Sequence, residues 1–203
     1  NMLVKTYGSA VNGIHATTIT IEVDVTAGIK FYLVGLPDNA VKESEQRIRA
    51  ALQNNGYRIP GKKIVINMAP ADIKKEGSSY DLPLAIGILA ASGQMKSNKI
   101  SDYIIMGELS LDGSLQHIKG ALPIAIKARE EGYKGVILPK ENAREAAIVN
   151  NLDVLGVNNI KELMAELLSE ISGPVESKAL SLNPKIKIET VEDRNYDVDI
   201  LSV

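Results

Sequence analysis

Ten consecutive residues, Leu82 to Ala91, carry no polar side chain, and the acidic Asp81 stands directly ahead of them. A bilayer span takes about 18–20 apolar residues. This shorter run therefore predicts a helix from Asp81 to about Ala91 that is buried on most sides. Such a helix exists only inside a domain whose other segments cover it. Asp81 is its expected N-cap, because a carboxylate there accepts from free amides and meets the positive end of the helix dipole.

The covering layers are legible on both sides of the run. From Thr17 to Val25 the chain alternates, with Ile19, Ile21, Val23 and Val25 on one side and Thr18, Thr20, Glu22 and Asp24 on the other. Period two with β-branched residues is a strand with one buried and one wet face. Asn12-Gly13 ahead of it is a hairpin turn, since both residues tolerate positive φ. Phe31–Val34 and Lys63–Met68 read as further strands. A helix is expected over 39–55, capped by Asp38, with Val41, Ile48 and Leu52 on its stripe, Glu43–Arg47 and Glu45–Arg49 as i,i+4 pairs, and Gly56 at C′. Beyond the apolar run come a strand at Tyr103–Met106 and a hairpin over 107–115 with Asp112-Gly113 at its tip. A helix from Lys119 to Glu131 is stopped by Gly132. Strand Val136–Leu138, helix Lys140–Val149, strand Leu152–Val157 and helix Ile160–Ser169 then form a βαβα pattern with a parallel strand pair. The expectation is one mixed α/β domain over 2–170, ended by Gly173-Pro174. A largely unstructured acidic linker follows over 171–203, with an extended piece at Lys185–Glu189. Asn1 reads as a cloning remnant ahead of a natural start at Met2.

The sequence of 203 residues has no Cys and only two imidazoles, His15 and His117. This excludes a disulfide framework, a thiol nucleophile, Cys-ligated metals and a His-rich metal site. No membrane segment or signal peptide is apparent, so a cytoplasmic protein is expected. Lys and Arg number 23 against 25 Asp and Glu; from Ser172 onward the chain holds four basic and six acidic residues, leaving 19 of each before it. A neutral body gives no bulk signal for nucleic acid, and contact with phosphates would have to come from a local patch.

Several motifs carry chemistry in principle. Gly56-Tyr57-Arg58-Ile59-Pro60-Gly61-Lys62-Lys63 approaches a phosphate-binding loop, but Lys63 stands where Ser or Thr would ligate magnesium. It also leads from a helix into a strand, the reverse of what anion binding at a helix N-terminus needs. The loop from Ala69 to Asp81 holds Lys74 and Lys75, which are solvated by default and otherwise phosphate contacts. It also holds Ser78 and Ser79, which are structural or else nucleophiles with Lys119 as base, since a Ser–Lys pair needs no His. His15 and His117 lack a ligand-like neighbourhood. Glu108 is expected to pair across its hairpin.

Five stretches together carry a resemblance. They are Val34-Gly35-Leu36-Pro37-Asp38-Asn39-Ala40-Val41-Lys42-Glu43-Ser44; Asn67-Met68-Ala69-Pro70-Ala71-Asp72; Lys75-Glu76-Gly77 with Asp81-Leu82-Pro83-Leu84-Ala85-Ile86-Gly87-Ile88-Leu89; Gly107-Glu108-Leu109-Ser110-Leu111-Asp112-Gly113; and Lys5-Thr6-Tyr7 with Asn12-Gly13-Ile14. In this order they resemble the N-terminal domain of the ComM/YifB family, magnesium-chelatase-like AAA+ ATPases. That domain is similar to the proteolytic domain of Lon and the C-terminal domain of RadA. The resemblance implies a Lon-protease-like, ribosomal-protein-like α+β two-layer fold. It places the Lon serine position on Asp81, with Ser78 and Ser79 in a short insertion, and the Lon lysine position on Leu122, one turn after Lys119.

Both dyad positions are thus changed, and a domain without protease chemistry is expected. The resemblance further implies a parent AAA+ motor using ATP and Mg2+, assembled as a hexameric ring, that promotes branch migration in DNA recombination and natural transformation. Lys62, Lys63, Lys74 and Lys75 are the candidate DNA contacts, with no cofactor, metal site or membrane contact expected in this chain. The alternatives are an ATPase subunit of a magnesium chelatase and a Lon-like peptidase using Ser78 or Ser79 with Lys119. Asn195-Tyr196-Asp197-Val198-Asp199 resembles the linker into the ATPase domain. Ile200–Val203 departs from the family there, as a truncation or an altered reading frame would make it.

Overall fold

The strongest alternation in the sequence becomes the centre of the sheet. The computed structural model describes residues 2–59 and 61–169, and the acidic segment 171–203 with its expected extended piece lies outside the described residues. Strands β1 (Met2–Asn12) and β2 (His15–Thr26) form a long antiparallel hairpin across the Asn12-Gly13 turn. Ile19, Ile21 and Val23 are 0% exposed and Val25 3%, so the even-spaced apolar face is the core face. Beside β2 lie β4 (Lys63–Ala69), antiparallel to it, and the edge strand β3 (Phe31–Val34), parallel to β4. On the other side of β1 the strands are all parallel: β5 (Tyr103–Ile105), β8 (Gly135–Pro139) and β9 (Asp153–Val157). The seven-stranded order is β3-β4-β2-β1-β5-β8-β9, and the hairpin β6 (Glu108–Leu109) and β7 (Leu115–Gln116) forms a second small sheet.

Helix α2 (Asp81–Ala91) packs on β1 and β2 with all eleven residues buried, as the apolar run requires. Gly87 permits the close approach: a Cβ there would come within 2.7 Å of Val23 Cγ2. Helix α1 (Asp38–Asn54) covers α2 and the hairpin with Ile48 and Leu52, and Gly56 closes it at φ +80°. Helices α3 (Ala121–Glu130) and α4 (Lys140–Ala146) pack together, and α5 (Ile160–Ser169) follows β9. The C-terminal end of α3 reaches the opposite sheet face, where Thr18 donates to Glu131 and the Tyr7 and Tyr133 rings meet at 5.6 Å. The mixed α/β domain and the parallel β8–β9 pair are as the sequence predicts. No described helix is long and apolar enough to cross a membrane.

The helix starts differ from expectation. Asp38 and Asp81 are first helical residues rather than N-caps; Pro37 and Tyr80 hold the cap positions, and neither helix has a side-chain cap bond. Pro37 supplies its fixed φ and an extended ψ of 150°, and its carbonyl accepts from Val41 at 3.0 Å. Helix α3 starts at Ala121 rather than Lys119, because Gly120 is left-handed at φ +81°. Helix α4 ends at Ala146, three residues short of the expected Val149. The expected Glu43–Arg47 pairing also gives way: Arg47 turns inward to Asp81, whereas Glu45–Arg49 forms at 2.8 Å.

Candidate functional site

Asp81 is the organising group of the chain's most distinctive region. Its side chain is 1% exposed and receives four donors. Ser44 and Arg47, one turn apart on α1, provide three of them. Ser44 Oγ donates to Oδ1 at 2.6 Å, Arg47 Nε to Oδ2 at 2.6 Å and Arg47 Nη2 to Oδ1 at 3.1 Å. The fourth is the backbone amide of Leu109 on β6, at 3.1 Å from Oδ2. Burial pushes the Asp81 carboxyl upward, opposed by the Arg47 and Ser44 bonds and the Leu109 amide. The same contact raises the Arg47 guanidinium further, with Glu108 and Glu43 adding to it. Four donors around one carboxylate occupy its acceptor capacity and join α1, α2 and the β6–β7 hairpin. Leu122, on the first turn of α3, is partly buried against the core and carries no titratable group.

The neighbouring serines serve the backbone. The Ser78 carbonyl accepts from the Asp81 amide at 3.2 Å, and the Ser79 carbonyl from the Gly107 amide at 2.8 Å. Among the described residues no hydrogen bond joins either hydroxyl to Lys119, which is exposed ahead of Gly120. Glu108 faces Gln116 in the hairpin register and lends its charge to Arg47. His15 is exposed, His117 lies 3.8 Å from the equally exposed Glu141 carboxylate, and no cluster of three metal-ligating side chains occurs among the described residues.

The four lysines fall into two separate places. β4 runs between Lys62-Lys63 and Lys74-Lys75, which sets the pairs roughly 20 Å apart. Lys74 is fully exposed and paired with Glu76 at 2.6 Å, and that contact raises its pKa. Lys75 is not solvated, contrary to expectation. It is 3% exposed, and its amine donates to the carbonyls of Pro70 at 2.6 Å and Ile73 at 2.9 Å. Burial lowers its pKa, partly offset by the Asp72 charge. Gly35 makes room for it: a Cβ there would stand 3.2 Å from Lys75 Cε and 2.6 Å from the Met68 carbonyl oxygen. Lys62 is exposed, while Lys63 is half-buried with its ammonium 5.4 Å from the Tyr32 ring centroid. The 56–63 segment leads from α1 into β4 and not into a helix N-terminus, and with Lys63 in place of a Ser or Thr its residues do not fit ATP and magnesium. A groove of about 420 Å³ lies between the β1–β2 turn and the lysine loop, lined by Asn12, Thr17, Asp72, Lys74, Glu76 and the buried Tyr80 among others.

The Ser44–Arg47–Asp81 centre was not anticipated. Its only sequence signal is an acid ahead of a wholly apolar helix, which calls for a counter-charge without saying from where.

Residues 21–142 match the family described as "Subunit ChlI of Mg-chelatase". The chain is 43% identical over 156 residues to the Escherichia coli (strain K12) protein YifB, covering 76% of this chain and 31% of YifB. It is 43% identical over 150 residues to the competence protein ComM of Haemophilus influenzae, covering 73% of this chain and 29% of ComM. A more distant likeness, 30% over 141 residues, is to Lon protease 2 of Bacillus subtilis, covering 68% of this chain and 24% of that protein. The chain thus spans about a third of the length of the YifB and ComM relatives it matches.

Proposed function

Since the chain belongs to the family described as subunit ChlI of Mg-chelatase, we propose that residues 2–170 are a non-catalytic assembly and DNA-engaging domain of a larger AAA+ ATPase. In this reading the parent promotes branch migration in DNA recombination and natural transformation. The observation that carries it is the likeness to the competence protein ComM over 73% of this chain. The enclosed Asp81 supports the non-catalytic part. Where the Lon resemblance expects a nucleophilic serine, the chain holds a carboxylate already engaged by Ser44, Arg47 and the Leu109 amide, and removing such a nucleophile leaves only residual catalysis. ATP and Mg2+ act in the parent outside these residues, copies of the domain sit around a hexameric ring in the cytoplasm, and the acidic 171–203 segment leads toward the motor.

DNA is held through its phosphates, each contact releasing condensed counterions. Lys62 and Lys63 are the principal contacts of the four lysines. Lys75 is spent on its own loop, and Lys74 is neutralised by Glu76. Fluorescence anisotropy of labelled DNA between about 50 and 200 mM salt tests this. Lys62→Ala with Lys63→Ala weakens binding and lowers the magnitude of the log K against log salt slope by about 1–2, whereas Lys75→Met leaves the slope unchanged. Salt-insensitive binding, or none, by the ring-forming full-length protein would remove the reading. The family description favours a second reading, an ATP-driven subunit of a magnesium chelatase, for which ATP-dependent metal insertion into a porphyrin by the parent with its partner subunits is the deciding assay.

A further inference from the structure

Three stretches of the sequence contain no acidic residue at all: 25–37, 46–71 and 82–101. The fold brings part of each to one pole of the domain. Helix α1 delivers the 55–59 segment there, α2 delivers 92–96, and β2 delivers 27–30. Gln94 clamps the first two, its Oε1 accepting from the Arg58 amide and its Nε2 donating to the Arg58 carbonyl, both at 2.8 Å. The third is fixed by the Ile64 amide donating to the Lys30 carbonyl at 2.9 Å and by Gly28 lying against the Lys63 stem. Lys30, Arg58, Lys62 and Lys96 are exposed at this pole, and Lys63 is half-buried beside them. The nearest acid in the sheet register is Asp24, opposite Val65, two residues along β4 from Lys63.

Basic residues that merely complement helix dipoles act within the last turn, yet α1 and α2 both lack a basic residue there, and these cations sit in the loops beyond. Apolar surface also lies beside the charge: Ile29 is 85% exposed, and Tyr32, whose ring carries the Lys63 ammonium, is 43% exposed on the edge strand. A duplex presents phosphates outward and keeps its bases stacked within. A single strand offers phosphates and unstacked bases together, which suits a basic rim with an aromatic side chain.

We propose that this pole is a platform for single-stranded nucleic acid, with phosphates on Lys30, Arg58, Lys62, Lys63 and Lys96 and an unstacked base against Tyr32. It rests on the DNA-engaging reading above and gives that reading a place and a strand preference. A labelled oligothymidylate and a duplex of equal length are titrated against the 203-residue chain by anisotropy over the same salt range. The single strand binds more tightly. Joint Lys30→Gln, Arg58→Gln and Lys96→Gln weakens it about tenfold at the lowest salt and takes about 2 off the salt slope. Tyr32→Ala weakens the single strand about tenfold without changing the slope or the duplex affinity, while Tyr32→Phe retains it. Circular dichroism and the thermal midpoint check that each variant stays folded. Salt-dependent DNA binding unaffected by the triple substitution overturns the platform and leaves the DNA-engaging reading standing. No DNA binding at any salt by the unsubstituted 203-residue chain overturns the platform, and none by the full-length protein either overturns both. Equal duplex and single-strand affinity, or binding only to anionic phosphatidylglycerol vesicles that the triple variant loses, also overturns the proposal.

Discussion

Asp81 and Arg47 illustrate how a buried ion pair constrains substitution. The guanidinium side chain is only 22% exposed, so removing its partner strands a partly buried charge. Asp81→Ala is expected to cost about 3–5 kcal/mol in urea unfolding, whereas Asp81→Leu combined with Arg47→Met recovers most of that loss. Equal losses in the single and double variants would show that the pair contributes nothing specific. Tyr80, next in the chain, gives a pH signature. Burial, with the Glu76 charge adding to it, pushes its phenol up to about 12. The unfolded chain ionises Tyr80 near 10, so its contribution to stability is complete below that pH and is lost as pH rises through the folded value. Tyr80→Phe should flatten the alkaline limb between about pH 10 and 12, by roughly 2 kcal/mol at its upper end. Urea midpoints measured at pH 9 and above check this.

Among the elements, the β6–β7 hairpin depends most on its neighbours. Asn54 Nδ2 donates to the Leu111 carbonyl at 2.7 Å, and Asn55 Nδ2 donates to the Asp112 carbonyl at 2.9 Å and to Ala51 at 2.7 Å. Joint Asn54→Ala and Asn55→Ala should cost about 1–3 kcal/mol and speed amide exchange at Leu115 and Ile160. Unchanged exchange at both would show that the hairpin holds itself. Most elements were legible because periodicity reports burial directly: Ile19 through Val25 gave β2, and Leu82 through Ala91 gave α2. The helix starts were not, since Asp38 and Asp81 satisfy the composition of an N-cap while Pro37 and Tyr80 occupy its geometry. Periodicity marks which face of α1 is buried, and Ser44 and Arg47 lie beside that stripe. It cannot name a carboxylate 34 residues further along the chain as the partner of Arg47. Lys75 escaped for a similar reason, because its place under the Gly35 turn exists only once the loop has folded around it.

Over the whole molecule, net charge proved a poor guide to local charge. A body with equal numbers of acids and bases still gathers Lys30, Arg58, Lys62, Lys63 and Lys96 at one pole, because residues scattered along the chain meet only through topology. The opposite end carries the turn at Gly13 and the loop with Asp72, Lys74, Lys75 and Glu76, whose charges cancel, so the basic residues at the first pole have no such local balance. One contact ties that frame to the helix beyond β9. The hairpin tip is bridged to Asn159 through Ser114, the Gly113 carbonyl receives the Ile160 amide at 2.9 Å, and Asn159 in turn receives the Glu162 amide at 2.8 Å. Helix α5 is therefore riveted to α1 through the tip as well as hung from the edge strand. The start of α5, the hairpin tip and the C-terminal end of α1 thus form one joint, and the Leu109 amide of the same hairpin ties that joint to Asp81 at the head of the buried helix.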